Sequence, residues 1–236
     1  MSAALLRCQD LVVGYAGRGV LPPITMQVLE GEFWVVVGRN GSGKTTWFRT
    51  LLGLLRPVSG EIHWPTPRPN LAYVPQRSAF DELYPLPALD VVRMGAERGL
   101  SFLRPGGGQV QAARQALEEV DALPLAARTF RSLSEGQKQR VLLARMIAGQ
   151  ARLALLDEPT AAMDAVAEEE AMAMLDQLRR KHGMAVVVVS HHLPVALRHA
   201  DRLLFLDPEA GVEVGTPEQV RQSEAWSARY GVHGHD

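Results

Sequence analysis

Residues Gly38 to Thr45 read G-R-N-G-S-G-K-T, and the residues on either side leave this part of the chain few ways to fold. Upstream, Phe33 to Val37 is a short run of aromatic and β-branched residues that predicts a strand. Downstream, K-T-T-W-F-R-T-L-L-G-L-L carries apolar residues at helical spacing. A strand that turns through glycines directly into a helix is an α/β unit. Its glycines let backbone N–H groups turn inward around phosphate oxygens, Lys44 reaches the β/γ oxygens, and the Thr45 hydroxyl is placed to bind Mg²⁺. Trp47, Phe48, Leu51 and Leu52 are expected to pack the core side of that helix.

The rest of the chain reads as an α/β protein with a helical insertion. Leu11 to Tyr15 and Ile24 to Leu29 are β-prone runs separated by Gly/Pro turns, and Leu71 to Val74 is another short strand. The character then changes: Asp90 to Glu97, Val110 to Leu123 and Glu135 to Ala148 predict helices, joined by loops such as R-P-G-G-G-Q at Arg104 to Gln109. Leu153 to Leu156 and Ala185 to Val189 are continuous apolar runs beside helical segments, as buried parallel strands require. Leu203 to Leu206 and Gly211 to Val214 predict a strand pair, and Thr216 caps a helix that opens on Pro217. No internal repeat or heptad array is evident.

Composition removes several classes of function. A length of 236 residues, 47% hydrophobic and 22% charged, fits one large folded domain or a core with a subdomain inserted. The net charge of −1 and a pI near 6.7 offer no excess of cations to a nucleic acid. Ala185 to Val189, the longest strongly apolar stretch, is far short of the roughly 20 residues needed to span a bilayer. The opening residues lack a basic start followed by an apolar run, so the chain is expected to remain in the cytosol. Cys8, the one cysteine, cannot form an internal disulfide and reads as a small strand residue.

Two further segments carry chemistry. Leu133 to Gln137 read L-S-E-G-Q, a Ser-x-Gly turn opening a helix, where a hydroxyl and N–H groups meet an anion at the positive helix end. Glu135 at its centre suits a helix start by charge and is expected to point outward. Leu153 to Glu158 read L-A-L-L-D-E, an apolar strand ending in two carboxylates at the sheet edge where α/β ligands sit. Neighbouring strand residues face opposite ways, so Asp157 can hold Mg²⁺ through water while Glu158, turned by the following chain, polarises an attacking water.

In this order and spacing, the motifs resemble the ATP-binding subunits of ABC transporters from about Leu6 to Val214. The resemblance implies a P-loop NTPase (RecA-like) core with an N-terminal antiparallel β-subdomain and an inserted α-helical signature subdomain. It makes 1–236 a single ATPase domain, with the nucleotide-binding core in 1–76 and 150–236 and the helical subdomain in 77–149. Gly38, Arg39, Asn40, Gly41, Ser42, Gly43, Lys44, Thr45 and Thr46 correspond to the ATP-binding Walker A loop. Tyr15 corresponds to the adenine-stacking aromatic, and Ser134, Gly136 and Gln137 to the signature that closes on ATP. Gln76 in Y-V-P-Q matches the glutamine that senses Mg²⁺ and the membrane subunits, and Asp164 in A-A-M-D matches the loop that crosses the dimer interface. His191 matches the switch histidine, while His192 stands where the family usually has Asp and reads as a structural or interface variant. The catalytic residues are then Glu158, His191 and Lys44, the Mg²⁺ ligands Thr45, Gln76 and Asp157 (through water), and the cofactors ATP and Mg²⁺.

The implied partners are a second ATPase copy in a head-to-tail homodimer, transmembrane permease subunits and, indirectly, a substrate-binding protein; no nucleic acid is expected. The implied location is the cytoplasmic face of the inner membrane, as a peripheral subunit. The segment from Tyr73 through Gly95 resembles importers of metal ions such as zinc and manganese, with iron-siderophore and cobalamin importers as cousins, so import of a metal ion or metal chelate is expected. An ATPase for an unrelated cargo and a non-transport ATPase of the iron–sulfur assembly type remain alternatives. A P-loop small-molecule kinase would require the signature, glutamine and histidine to be coincidences. The histidines of Val232 to Asp236 read as solvent-exposed tail residues rather than metal ligands.

Overall fold

The computed structural model describes residues 3–76, 85–97, 107–161 and 163–231. In chain order the strands and helices are β1 (Ala4–Val12), β2 (Gly14–Tyr15), β3 (Arg18–Gly19), β4 (Ile24–Leu29), β5 (Phe33–Val37), α1 (Lys44–Leu51), β6 (Ser59–His63), β7 (Leu71–Val74), α2 (Ala88–Ala96), α3 (Gly107–Glu119), α4 (Glu135–Ala148), β8 (Leu153–Asp157), α5 (Ala165–His182), β9 (Ala185–Val189), α6 (Leu193–His199), β10 (Arg202–Asp207), β11 (Gly211–Gly215), α7 (Pro217–Arg221) and α8 (Glu224–Tyr230). The described residues within 1–69 and 185–236 form one compact unit, and those within 70–184 another.

In the first unit, β5 is the hub. It pairs in parallel with β10 on one side and β9 on the other, and β11 closes on β10 as an antiparallel hairpin. All five residues of β5 and of β9 are buried, which explains the unbroken apolar sequences. A separate antiparallel sheet has β1 between β4 and β6. The loop from β5 to α1 delivers the G-R-N-G-S-G-K-T segment at the carboxyl end of β5, with Trp47, Phe48 and Leu51 buried under α1 as expected. In the second unit, β7 runs parallel to β8, and α2, α3 and α4 pack on one another between these strands in the sequence.

Several boundaries differ from expectation for identifiable reasons. The strand expected at Leu11 to Tyr15 is the end of a longer β1 followed by the two-residue β2, with bulges along β1 that blur its alternation. The helix expected to run to Leu123 stops at Glu119, because Asp121 takes a left-handed φ of 54° and a short 3-10 turn follows. α2 starts at Ala88 behind Pro87, ahead of the acidic residue Asp90 read as its start. The expectations for Tyr73 to Gly95, Arg104 to Gln109 and Ala161 to Asp164 fall in part, and the one for Val232 to Asp236 entirely, outside the described residues.

Cys8 lies fully buried in β1, and burial pushes its thiol up to about 12. At pH 8 the thiolate is then only about one part in ten thousand, so the native protein is expected to react with a disulfide reagent at least ~1000-fold more slowly than the same chain in denaturant. Stopped-flow thiol titration checks this; a native rate matching the unfolded one would contradict the buried placement.

Candidate ATP-binding site

The phosphate loop shows why its residue types are required. A Cβ at Gly38 would stand 2.3 Å from the Leu206 carbonyl oxygen and 2.5 Å from Ser42 Oγ, so no side chain fits where the loop leaves β5. Gly43, the N-cap of α1, has φ 94°, a region that favours glycine. Among the described residues no side chain caps α1, and its first turn holds no acidic residue. Its first-turn N–H groups and the partial positive charge of the helix end are therefore directed at whatever occupies the loop. Ser42 Oγ is buried with no hydrogen-bond partner among the described residues. The Lys44 ammonium, 6% exposed, donates to the carbonyls of Gly38 (2.7 Å) and Arg39 (2.8 Å). An uncapped helix start, an unused buried hydroxyl and a lysine folded onto the loop make a cradle for phosphate.

Around the cradle, Thr45 is exposed at the second position of α1 and Thr46 is buried. Tyr15 is half exposed, with its hydroxyl 3.3 Å from Thr46 Oγ1. That hydrogen bond, aided by Arg49, holds the phenol below its ordinary pKa against a small opposing effect of burial. Arg39, Asn40 and Gly41 are exposed along the loop. His191 and His192 follow β9, both exposed, and the His192 N–H donates to Ser190 Oγ at 3.2 Å.

In the second unit, β8 ends on Asp157, buried at 4% exposure, and the chain turns at once. Glu158 has a left-handed φ of 50°, which for a non-glycine residue costs about 1 kcal/mol or more and redirects its side chain from the strand. Gln76 Nε2 donates to Glu158 Oε2, joining two residues that lie 82 positions apart. Sequence reasoning missed the support beneath this turn: Thr160 Oγ1 donates to Glu168 Oε1 at 3.0 Å, both buried. Glu168 opens the run Glu168-Glu169-Glu170, which reads as solvated charge; no signal in the run marks its first member as buried.

The signature turn is a capping box. Ser134 Oγ accepts from the Gln137 N–H at 3.4 Å, and Gln137 Oε1 accepts from the Ser134 N–H at 3.1 Å. Gln137 therefore serves the helix start. Glu135 is exposed and paired with Lys138 at 2.9 Å, and a Cβ at Gly136 would meet nothing within 4 Å. Asp164 caps α5 by accepting from Val166 N–H (3.1 Å) and Ala167 N–H (2.9 Å).

Compared with known protein families, residues 21–161 match the one described as ABC transporter. The chain belongs to that family. It is 36% identical over 231 residues to the zinc import ATP-binding protein ZnuC of Pseudomonas entomophila, covering 98% of this chain and 85% of the relative. Among solved structures, it resembles an inward-facing ABC transporter assigned to the metal-chelate type, with TM-score 0.86, 30% identity, and coverage of 97% of this chain and 89% of the other. It also resembles the dimeric structure of a bacterial ABC transporter cassette, with TM-score 0.70, 27% identity, and coverage of 86% and 94%. The fold is that of the P-loop ATPases, and the chain is an ATP-binding subunit whose hydrolysis of ATP is coupled to transport. Among the described residues no helix is long and apolar enough to cross a membrane.

Proposed function

We propose that this chain is the motor of an importer for a metal ion or metal chelate, working on the cytoplasmic face of the inner membrane through a permease and a substrate-binding protein. The nucleotide role rests on one observation, the α1 start that no side chain caps, backed by Lys44 and the unpartnered Ser42 hydroxyl. Triphosphate oxygens supply acceptors for the α1 N–H groups and the Ser42 hydroxyl, and anionic partners for the Lys44 ammonium. Tyr15 stacks on the adenine. The cargo class rests on the full-length likeness to zinc import ATPases and to a transporter of metal-chelate type.

The residues suit Mg²⁺. Thr45 hydroxyl, Asp157 carboxylate and Gln76 amide are hard oxygen donors, and a small cation of this kind completes its shell with water and substrate phosphates rather than a protein cage. When bound, Mg²⁺ neutralises charge on the β/γ oxygens. Glu158 accepts a proton from the attacking water, with its carboxylate oriented by Gln76, and His191 donates to the γ-phosphate.

ATPases of this family work in pairs on membrane permeases, and the pair proposed here is two-fold and head-to-tail, with Ser134 and Gly136 of one copy closing over ATP on the other. The capping box uses an acceptor lone pair of Ser134, which leaves its O–H proton to give to a phosphate oxygen. Deleting the gene in its host is expected to abolish uptake of radiolabelled zinc, manganese or a metal chelate, with rescue by the wild-type chain but not by Glu158→Gln. Unchanged uptake of all of them would remove the cargo assignment.

A further inference from the structure

We propose that the last helix positions the phosphate loop: Arg229 of α8 acts through Asp207 at the tip of β10, so Arg229 and Asp207 are positioning residues for ATP. The inference rests on the reading that the Gly38 to Thr45 loop binds ATP. It starts at the closest approach in the loop, where the Leu206 carbonyl would be 2.3 Å from a Cβ on Gly38. β10 runs in register beside β5, with Phe205 opposite Val37, so the place where β10 ends determines where the loop can lie. Any shift of the Leu206 carbonyl toward the loop meets Gly38 backbone.

Asp207 follows at once and is buried at 3% exposure. Its Oδ1 accepts from the N–H groups of Glu209 and Ala210, both at 2.9 Å, and its Oδ2 lies 3.3 Å from Arg229 Nε. Burial alone would raise this carboxyl. The Ala210 and Glu209 N–H groups and the charges of Arg229 and, in the phosphate loop itself, Arg39 outweigh it and hold the pKa below the usual carboxylate range. One buried carboxylate thus answers to a cation on α8 and a cation on the loop.

α8 is fixed to the same strand tip by its aromatic face. Trp226 and Tyr230 meet Phe205 edge-on, with ring centroids 5.7 and 6.0 Å away, and lie 4.5 Å from each other. Packing of this kind holds the helix so that Arg229 arrives at a set position. Without Arg229 the carboxylate that ends β10 loses its tie to α8, and the Leu206 carbonyl with the Gly38 backbone against it is held less firmly.

The test is steady-state ATPase kinetics and equilibrium binding of a fluorescent ATP analogue on the full chain, with Lys44→Ala as control. Arg229→Gln is expected to raise the KM for ATP about three- to tenfold with kcat within about twofold, the range for residues coupled through a shared partner. Asp207→Asn, which keeps the oxygen that accepts both turn N–H groups but sets an amide NH₂ in place of the oxygen facing Arg229, is expected to raise KM likewise, and it carries the test should Arg229→Gln not fold. Adding Arg229→Gln to Asp207→Asn should change nothing further. KM unchanged in the singles, or singles whose effects multiply in the double, would overturn the proposal while the loop's own role stands. Absence of saturable binding of the analogue by the unmutated chain would instead take down the ATP reading and this inference with it.

Discussion

Glu158→Gln is expected to lower the ATPase rate by about 10²–10⁴-fold, the contribution of a positioned general base, while leaving ATP affinity close to that of the wild type. The substitution keeps the shape of a side chain that the Gln76 amide already holds, and removes only the oxygen able to take a proton from water. Its strained backbone, φ 50°, is set by the turn after β8 and by the Thr160–Glu168 hydrogen bond beneath it, neither of which the change touches. Binding without hydrolysis then lets nucleotide accumulate where it joins two copies. A ligand that binds only the closed pair shifts the population by its full differential affinity. Size-exclusion chromatography with excess ATP and Mg²⁺ should move Glu158→Gln from monomer to dimer, and addition of EDTA should return it. A monomer peak under all conditions would count against the head-to-tail pair, and a normal turnover rate would remove Glu158 from the chemistry.

How much of this was legible in the sequence depended on whether the governing contact was local. β4, β5, β7 and β9 begin and end where their apolar runs do, because buried parallel or half-buried strands bounded by turns leave an unambiguous pattern. α4 likewise matches its expected bounds, since Ser134 caps it and Gly149 follows it. The Thr216 cap before Pro217 is present as a full capping box. β6 escaped notice because S-G-E-I-H is an edge strand with mostly exposed residues, held by pairing to β1 rather than by burial. α3 takes in Gly107 and Gly108, which on propensity belong to a loop, as its first two residues, where the helix-interior cost of glycine does not apply in full.

The candidate site divides in the same way. The phosphate loop is legible because its glycines, lysine and hydroxyls stand side by side, each required by backbone geometry. The Gln76–Glu158 hydrogen bond spans 82 residues and the burial of Glu168 depends on Thr160 across a turn, so only the folded chain brings them into view. The Arg229–Asp207 contact is of the same kind: an arginine on a terminal helix has no local pattern that distinguishes a tie to a strand tip from an ordinary surface cation.

Lys44→Ala is expected to weaken ATP binding by about 100-fold, corresponding to about 2–3 kcal/mol for hydrogen bonds from a charged donor. In the structure the ammonium is already nearly removed from water and is satisfied by the Gly38 and Arg39 carbonyls. Binding therefore exchanges neutral acceptors for anionic phosphate oxygens without a fresh desolvation cost, and charge-assisted hydrogen bonds are the stronger kind. Truncation also takes the ammonium donor from both carbonyls, leaving the Arg39 carbonyl with the Ser42 N–H, and loosens the loop, so the loss should appear in affinity and rate together, unlike the selective rate loss of Glu158→Gln. Isothermal titration with a non-hydrolysed ATP analogue and Mg²⁺ measures the affinity directly. An affinity within about threefold of the wild type would mean the lysine holds the loop rather than the phosphates, because a lost charged hydrogen bond to ligand cannot be that small.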